Sequence, residues 1–171
     1  MEDVLSAKVG LLLRQRGLYL VSAESCTGGL LGHRITNVPG SSDYFLGGVI
    51  AYADSAKRVL LGVRAETLAR FGAVSRETVL EMARGVRERL CPPDMDITRL
   101  IGVAISGIAG PGGGTPEKPV GFTWIALSTP EGEGAWSYQW SGHRLQNKEA
   151  SAEQALRLVL AYLEGHGLPT G

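Results

Sequence analysis

The run from Ser22 to Leu31, SAESCTGGLL, sets Ser25, Cys26 and Thr27 side by side between an acid, Glu24, and two glycines. Each of the three is a nucleophile once a base takes its proton. A short apolar, β-prone stretch, LYLVSA, precedes the motif and a helical LLGHRIT follows it, so the motif falls on a strand-turn-helix. In open α/β sheets ligands collect outside the carboxyl ends of strands, where a helix start offers free N–H groups and partial positive charge to an oxyanion. Ser25 and Thr27 would lie where that field is strongest, and Gly28 and Gly29 would let a ligand approach the backbone. The same residues also read as a simple helix cap, with Cys26 packed inside.

A serine needs a base, and AYADSAK places Tyr52 and Lys57 just after a second apolar run, YFLGGVIAY. A lysine whose pKa is lowered can serve where no histidine is placed to do so. His33, His143 and His166 form no Ser-His-Asp arrangement along the chain. Only Lys8, Lys57, Lys118 and Lys148 are lysines among seventeen basic residues, so a lysine at a strand end carries some information; a solvated helix lysine is the competing reading. The third constellation is GIAGPGGGTPEKPVG, rich in Gly and Pro, directly after the buried run LIGVAIS. It can adopt unusual backbone angles while prolines stiffen it at fixed points. It lacks the Gly-Lys-Ser/Thr of a P-loop and no helix opens after it, so a phosphate cradle and a plain surface loop both remain open.

These segments need elements to hold them. Helical spacing from Val4 to Arg16, with Gly17 as its stop, predicts an opening amphipathic helix. Strands are expected over Leu18–Ala23, Tyr44–Tyr52 and Leu100–Ser106, the second buried and bringing Gly47 and Gly48 close to a neighbouring backbone. Lys57 then falls on a short helix. Two more helices follow, over AETLARFG and from an N-cap at Ser75 to the Cys91-Pro92-Pro93 stop. FTWIALST and AWSYQW alternate as a hairpin around PEGEG, and NKEASAEQALRLVLAYLEG closes the chain as an amphipathic helix. Strands separated by helices, with a late hairpin, predict a three-layer α/β/α sandwich with a mixed sheet, as one domain over 1–171.

Composition narrows the partners. Seventeen basic and seventeen acidic residues cancel, which leaves no global field for nucleic acid, a membrane surface or an acidic partner. Cys26 and Cys91 have no paired spacing for zinc; two reduced thiols in a cytoplasmic protein are expected, with a disulfide left open. No segment approaches transmembrane length, and the first residues run from acidic to basic, the reverse of a secretory signal.

Taken together, SAESCTGGLL, VPGSSDYFLGGVIAYADSAKRVLLGV, ETLARFGAVS and SGIAGPGGGTPEKPVGFTWIAL resemble the C-terminal domain family of the competence/damage-inducible protein CinA, in family order over most of Ser22–Leu127. That resemblance implies hydrolysis of the carboxamide of nicotinamide mononucleotide to nicotinic acid mononucleotide and ammonia. Carried over by motif, it makes Ser25 the nucleophile, Lys57 the base and Tyr52 a proton-transfer or orienting group. Backbone N–H groups near Thr27 and Gly28 are expected to hold the oxyanion, and Ser106, Gly107 and Gly110 of the glycine-rich loop to position substrate. No metal or other cofactor is required. The resemblance further suggests a homodimer or higher homo-oligomer.

One stretch departs from the family pattern, a Gly-Asp-Arg followed by a second arginine. In SGHRLQNKEAS, Arg144 is kept, His143 stands at the aspartate position, and Lys148 best matches the later basic residue. A lysine holds phosphate as a point charge, without the fork of arginine. The altered stretch keeps open a second reading, a non-catalytic nucleotide-binding or regulatory module. The longer CinA proteins carry a further N-terminal domain for which this chain has no room, so that domain's functions are not expected here.

Overall fold

The computed structural model describes residues 3–168, the side chain of His166 excepted. Asp3 caps the first helix, α1 (Val4–Arg16), by accepting from the Ser6 N–H at 3.1 Å, and Gly17 ends it in the left-handed region at φ 64°. Then come β1 (Tyr19–Glu24), α2 (Leu30–Thr36), β2 (Phe45–Ile50), α3 (Asp54–Leu61), α4 (Ala65–Phe71) and α5 (Arg76–Arg89). The chain continues through β3 (Leu100–Gly107), β4 (Phe122–Thr129), β5 (Gly132–Gln139) and α6 (Arg144–Ala161).

The sheet runs in the order β2-β1-β3-β4-β5, with β1 parallel to both neighbours and β3, β4 and β5 antiparallel in turn. It is therefore mixed, as the spacing of elements predicts. Alternation along the strands feeds two cores. Leu20, Ile101, Val103 and Ile105 face α1, α2 and α6, whereas Val21, Ala23, Leu100 and Ala104 face α3 and α5. Three layers follow directly. A Cβ on Gly102 would meet the Ala83 carbonyl at 2.3 Å, so α5 lies on β3 at backbone distance.

Four expectations shift. The second strand is shorter than Tyr44–Tyr52 and is an edge strand rather than a buried one, with Ile50 54% exposed, because only β1 pairs with it. The close approach at Gly48 is to a side chain rather than to backbone, since a Cβ there would meet Ser22 Oγ at 2.4 Å and the Ser22 carbonyl only at 3.5 Å, and Gly47 faces the Leu90 side chain at 3.7 Å. The β4–β5 strands pair through Thr129 and Gly132, which leaves a two-residue turn in place of the five-residue PEGEG loop. Finally α6 begins at Arg144, three residues before the expected Asn147, because Gln146 Oε1 accepts from the N-cap N–H of His143 at 3.0 Å. Both basic residues of the altered stretch thus ride on α6. Among the described residues no helix is long and apolar enough to cross a membrane.

Candidate active site

The chain leaves β1 toward β2 on one side, while β3 lies on the other, and the connecting helices fall on opposite faces of the sheet. A crevice outside the carboxyl ends of these parallel strands is what such a reversal produces. It is present, with a volume of about 200 Å³. Ser25 and Cys26 enter it from the end of β1, Tyr52, Asp54 and Lys57 from the β2–α3 segment, and Ser106 and Gly107 from the end of β3. Ala73 and Val74 form one wall, Ala109 and Arg144 another.

Ser25 is 8% exposed and is fixed by its own N–H, which donates to the Ile105 carbonyl of β3 at 3.0 Å. The Gly28 N–H donates back to the Ser25 carbonyl at 3.1 Å. No carbonyl among the described residues takes up the N–H of Cys26 or Thr27. The helix start itself is not free. Both carboxylate oxygens of buried Glu24 accept from α2 and the residue before it, from Gly29 and Leu31 at 3.0 and 3.1 Å and from Gly32 at 2.9 Å. The expected oxyanion field of the helix is therefore taken by Glu24, and the expected Gly28 N–H is engaged within the turn. Glu24 in turn fixes the bend that presents Ser25. Glu24→Ala would strand buried amides, each costing about 1–3 kcal/mol. A loss of about 3 kcal/mol in urea unfolding, partly recovered in Glu24→Gln, is the expected outcome.

Lys57 is 1% exposed, the opposite of a solvated helix lysine. Its Nζ donates to the Tyr52 carbonyl at 3.0 Å and lies 3.6 Å from Asp54 Oδ1. Burial pushes its pKa down from the usual lysine value, and the Asp54 carboxylate opposes that shift. The neighbouring Cys26 thiol is pushed up to about 11, chiefly by burial, so it stays protonated and poorly nucleophilic near neutrality. Cys26 and Cys91 are both free thiols.

Arg144 bridges the cleft, donating from Nη1 to the Gly110 carbonyl at 2.6 Å and from Nη2 to the Tyr52 hydroxyl at 2.9 Å. Tyr52 is 58% exposed, so this bond orients a ring that packing alone would leave loose. Asn147 on the next turn donates to the Ala109 carbonyl at 3.0 Å, while Lys118 Nζ donates to the Phe71 carbonyl at 2.7 Å. The glycine-rich segment is thereby tied to α4 and α6. Ser106 donates to the Ala73 carbonyl at 2.7 Å and holds the cleft wall rather than offering a free hydroxyl.

Of the residues expected at the site, Ser25, Tyr52, Lys57, Ser106, Gly107 and Arg144 line one cleft. Gly110 does not line it and is joined to it only through Arg144, which donates to its carbonyl. Thr27 and Gly28 do not line it; the Thr27 hydroxyl is buried with no hydrogen-bond partner among the described residues. Lys148 Nζ lies 3.9 Å from where a Cβ on Gly28 would stand, beside the cleft and without an acidic partner among the described residues. Asp54 and Asn147 were not singled out by the sequence. Asp54 had a usable signal, an acid three residues before Lys57 on one helix face. Among the described residues no cluster of three His, Cys, Asp or Glu side chains could hold a metal.

The family model described as CinA C-terminal domain matches residues 2–163. The chain belongs to the CinA C-terminal domain family. A CinA-like protein of Desulfotalea psychrophila is 45% identical over 161 residues, covering 94% of this chain and 37% of that protein. The chain spans little more than a third of the length of such relatives. Solved structures match along nearly their whole length. A CinA superfamily protein of Klebsiella pneumoniae is 32% identical with a TM-score of 0.86, covering 94% of this chain and 96% of that one. The competence/damage inducible protein CihA of Agrobacterium tumefaciens is 37% identical with a TM-score of 0.80, covering 92% and 96%.

Proposed function

We propose that this CinA-family chain is a nicotinamide-nucleotide amidohydrolase that converts nicotinamide mononucleotide to nicotinic acid mononucleotide and ammonia. The observation that carries the reading is the entry of Ser25 and a buried Lys57, from two separate strand ends, into one cleft. Neutral Lys57 takes the Ser25 proton as the hydroxyl attacks the carboxamide carbon. The Cys26 N–H, beside Ser25 in the cleft and taken up by no carbonyl among the described residues, stabilises the oxyanion, the arrangement in which the residue just after a nucleophile supplies a donor. Lys57 returns its proton to the departing ammonia, then accepts one from the water that attacks the acyl-enzyme and delivers it to the Ser25 oxygen as the bond to the acyl carbon breaks and the nicotinate leaves. Tyr52, held by Arg144, orients the amide. No metal or cofactor enters this scheme.

The volume supports a division of the substrate. About 200 Å³ is below the roughly 300–1,000 Å³ of pockets that enclose whole ligands, so the cleft takes the amide-bearing ring and leaves ribose and phosphate at its mouth. Lys148, whose Nζ lies 3.9 Å from where a Cβ on Gly28 would stand and which has no acidic partner among the described residues, meets that phosphate as a point charge. The test is ammonia release from nicotinamide mononucleotide by the purified protein. Lys148→Ala is expected to raise KM for the mononucleotide about tenfold, the worth of one charged hydrogen bond, and to leave the riboside unaffected. A folded wild type that releases no ammonia would instead favour a binding module.

A further inference from the structure

Lys57 carries its charge where the fold opposes it. It is buried, and as the fourth residue of α3 it lies in the first turn, where the helix field is positive. The groups around it offer little compensation. From the β1–α2 turn come the Ser25 hydroxyl and the protonated Cys26 thiol, from β3 the engaged Ser106 hydroxyl, and from α6 another cation, Arg144. Behind α3, α5 carries Glu81, but that carboxylate is committed to Arg64 and to Thr67, which donates at 2.7 Å. Among the described residues the Tyr52 carbonyl accepts the one hydrogen bond of Nζ, leaving Asp54, at 3.6 Å, as the carboxylate that faces Lys57.

We propose that Asp54 is a positioning residue that acts through Lys57: its carboxylate holds the ammonium beside the Tyr52 carbonyl and so sets the pH at which Lys57 releases its proton. The inference rests on the amidohydrolase reading for its catalytic consequence, though not for the ion pair itself. Asp54 suits the task because it is itself 59% exposed at the cleft edge, so its charge stays solvated while it reaches a buried partner. As the first residue of α3 it also favours the helix start, a purely structural role that the test must separate.

With only four lysines, a chain carrying isotope-labelled lysine gives a small set of side-chain signals, and Lys57→Met identifies the one from Lys57. In Asp54→Asn and in Asp54→Ser the NMR titration midpoint of Lys57 is expected to fall by about one unit. That is the low end for loss of an adjacent opposite charge, as suits an exposed acid. Asp54→Glu should restore part of the shift. The acidic limb of kcat/KM for ammonia release should move down with the NMR midpoint, because the base loses its proton at lower pH. An unchanged Lys57 midpoint in folded Asn and Ser variants would overturn the proposal, as would a loss of activity at every pH with no displacement. Absence of ammonia release by the wild type would defeat the amidohydrolase reading alone, since the titration decides the role of Asp54 without turnover.

Discussion

Ser25→Ala is expected to lower kcat for ammonia release from nicotinamide mononucleotide by about 10,000-fold or more, the scale on which removal of a nucleophile from a coupled catalytic group is felt. The fold should survive the change. Ser25 is held by its backbone N–H to Ile105 and by the turn bond from Gly28, both of which alanine keeps. The adjacent Cys26 offers no substitute, because burial keeps its thiol protonated. Single-turnover mixing followed by intact-mass measurement should find an acyl adduct in the wild type, if deacylation is slow, and none in Ser25→Ala. Retention of most activity by the alanine variant would remove Ser25 as nucleophile.

Lys57→Met separates activity from stability. Loss of a general base costs about 100- to 10,000-fold in rate, and the rise of activity with pH through the Lys57 titration should disappear. The direction follows from the base role: a lysine whose pKa burial lowers is protonated and idle below that pKa, so wild-type activity falls toward acid pH. Stability should move the other way. Methionine fills a similar volume without a charge to desolvate, and the exposed Asp54 left behind returns to water at little cost. A gain of about 1 kcal/mol, or about 2–4 °C in Tm for a chain of this size, is expected in thermal unfolding. Unaltered activity and pH profile in Lys57→Met would end the assignment of the base.

The elements were largely readable because each carries a local signal. Helical spacing with Gly17 at its end marked α1, Ser75 marked the start of α5, where it accepts from the Thr78 N–H at 3.2 Å, and the apolar run at Leu100 marked β3. The misplacements occurred where a neighbour decides. Phe45–Ile50 is apolar enough to be buried, yet it sits at the sheet edge because the pairing order puts it there. Glu24 gave no capping signature, because its carboxylate accepts from N–H groups five, seven and eight residues ahead across a turn, beyond any helix-period template.

The sequence by itself determined the family, the three-layer class and the residue types available at the ends of β1, β2 and β3. It did so because hydrophobic period, glycine placement and motif order are properties of the chain taken a few residues at a time. Only the tertiary structure decided that Lys57 is buried beside Asp54, that Arg144 spans from Gly110 to Tyr52, and that Glu24 occupies the helix start. Those contacts join segments up to 92 residues apart. Their chemistry depends on burial and on the distance between charges, and both exist only once the strands have been brought side by side.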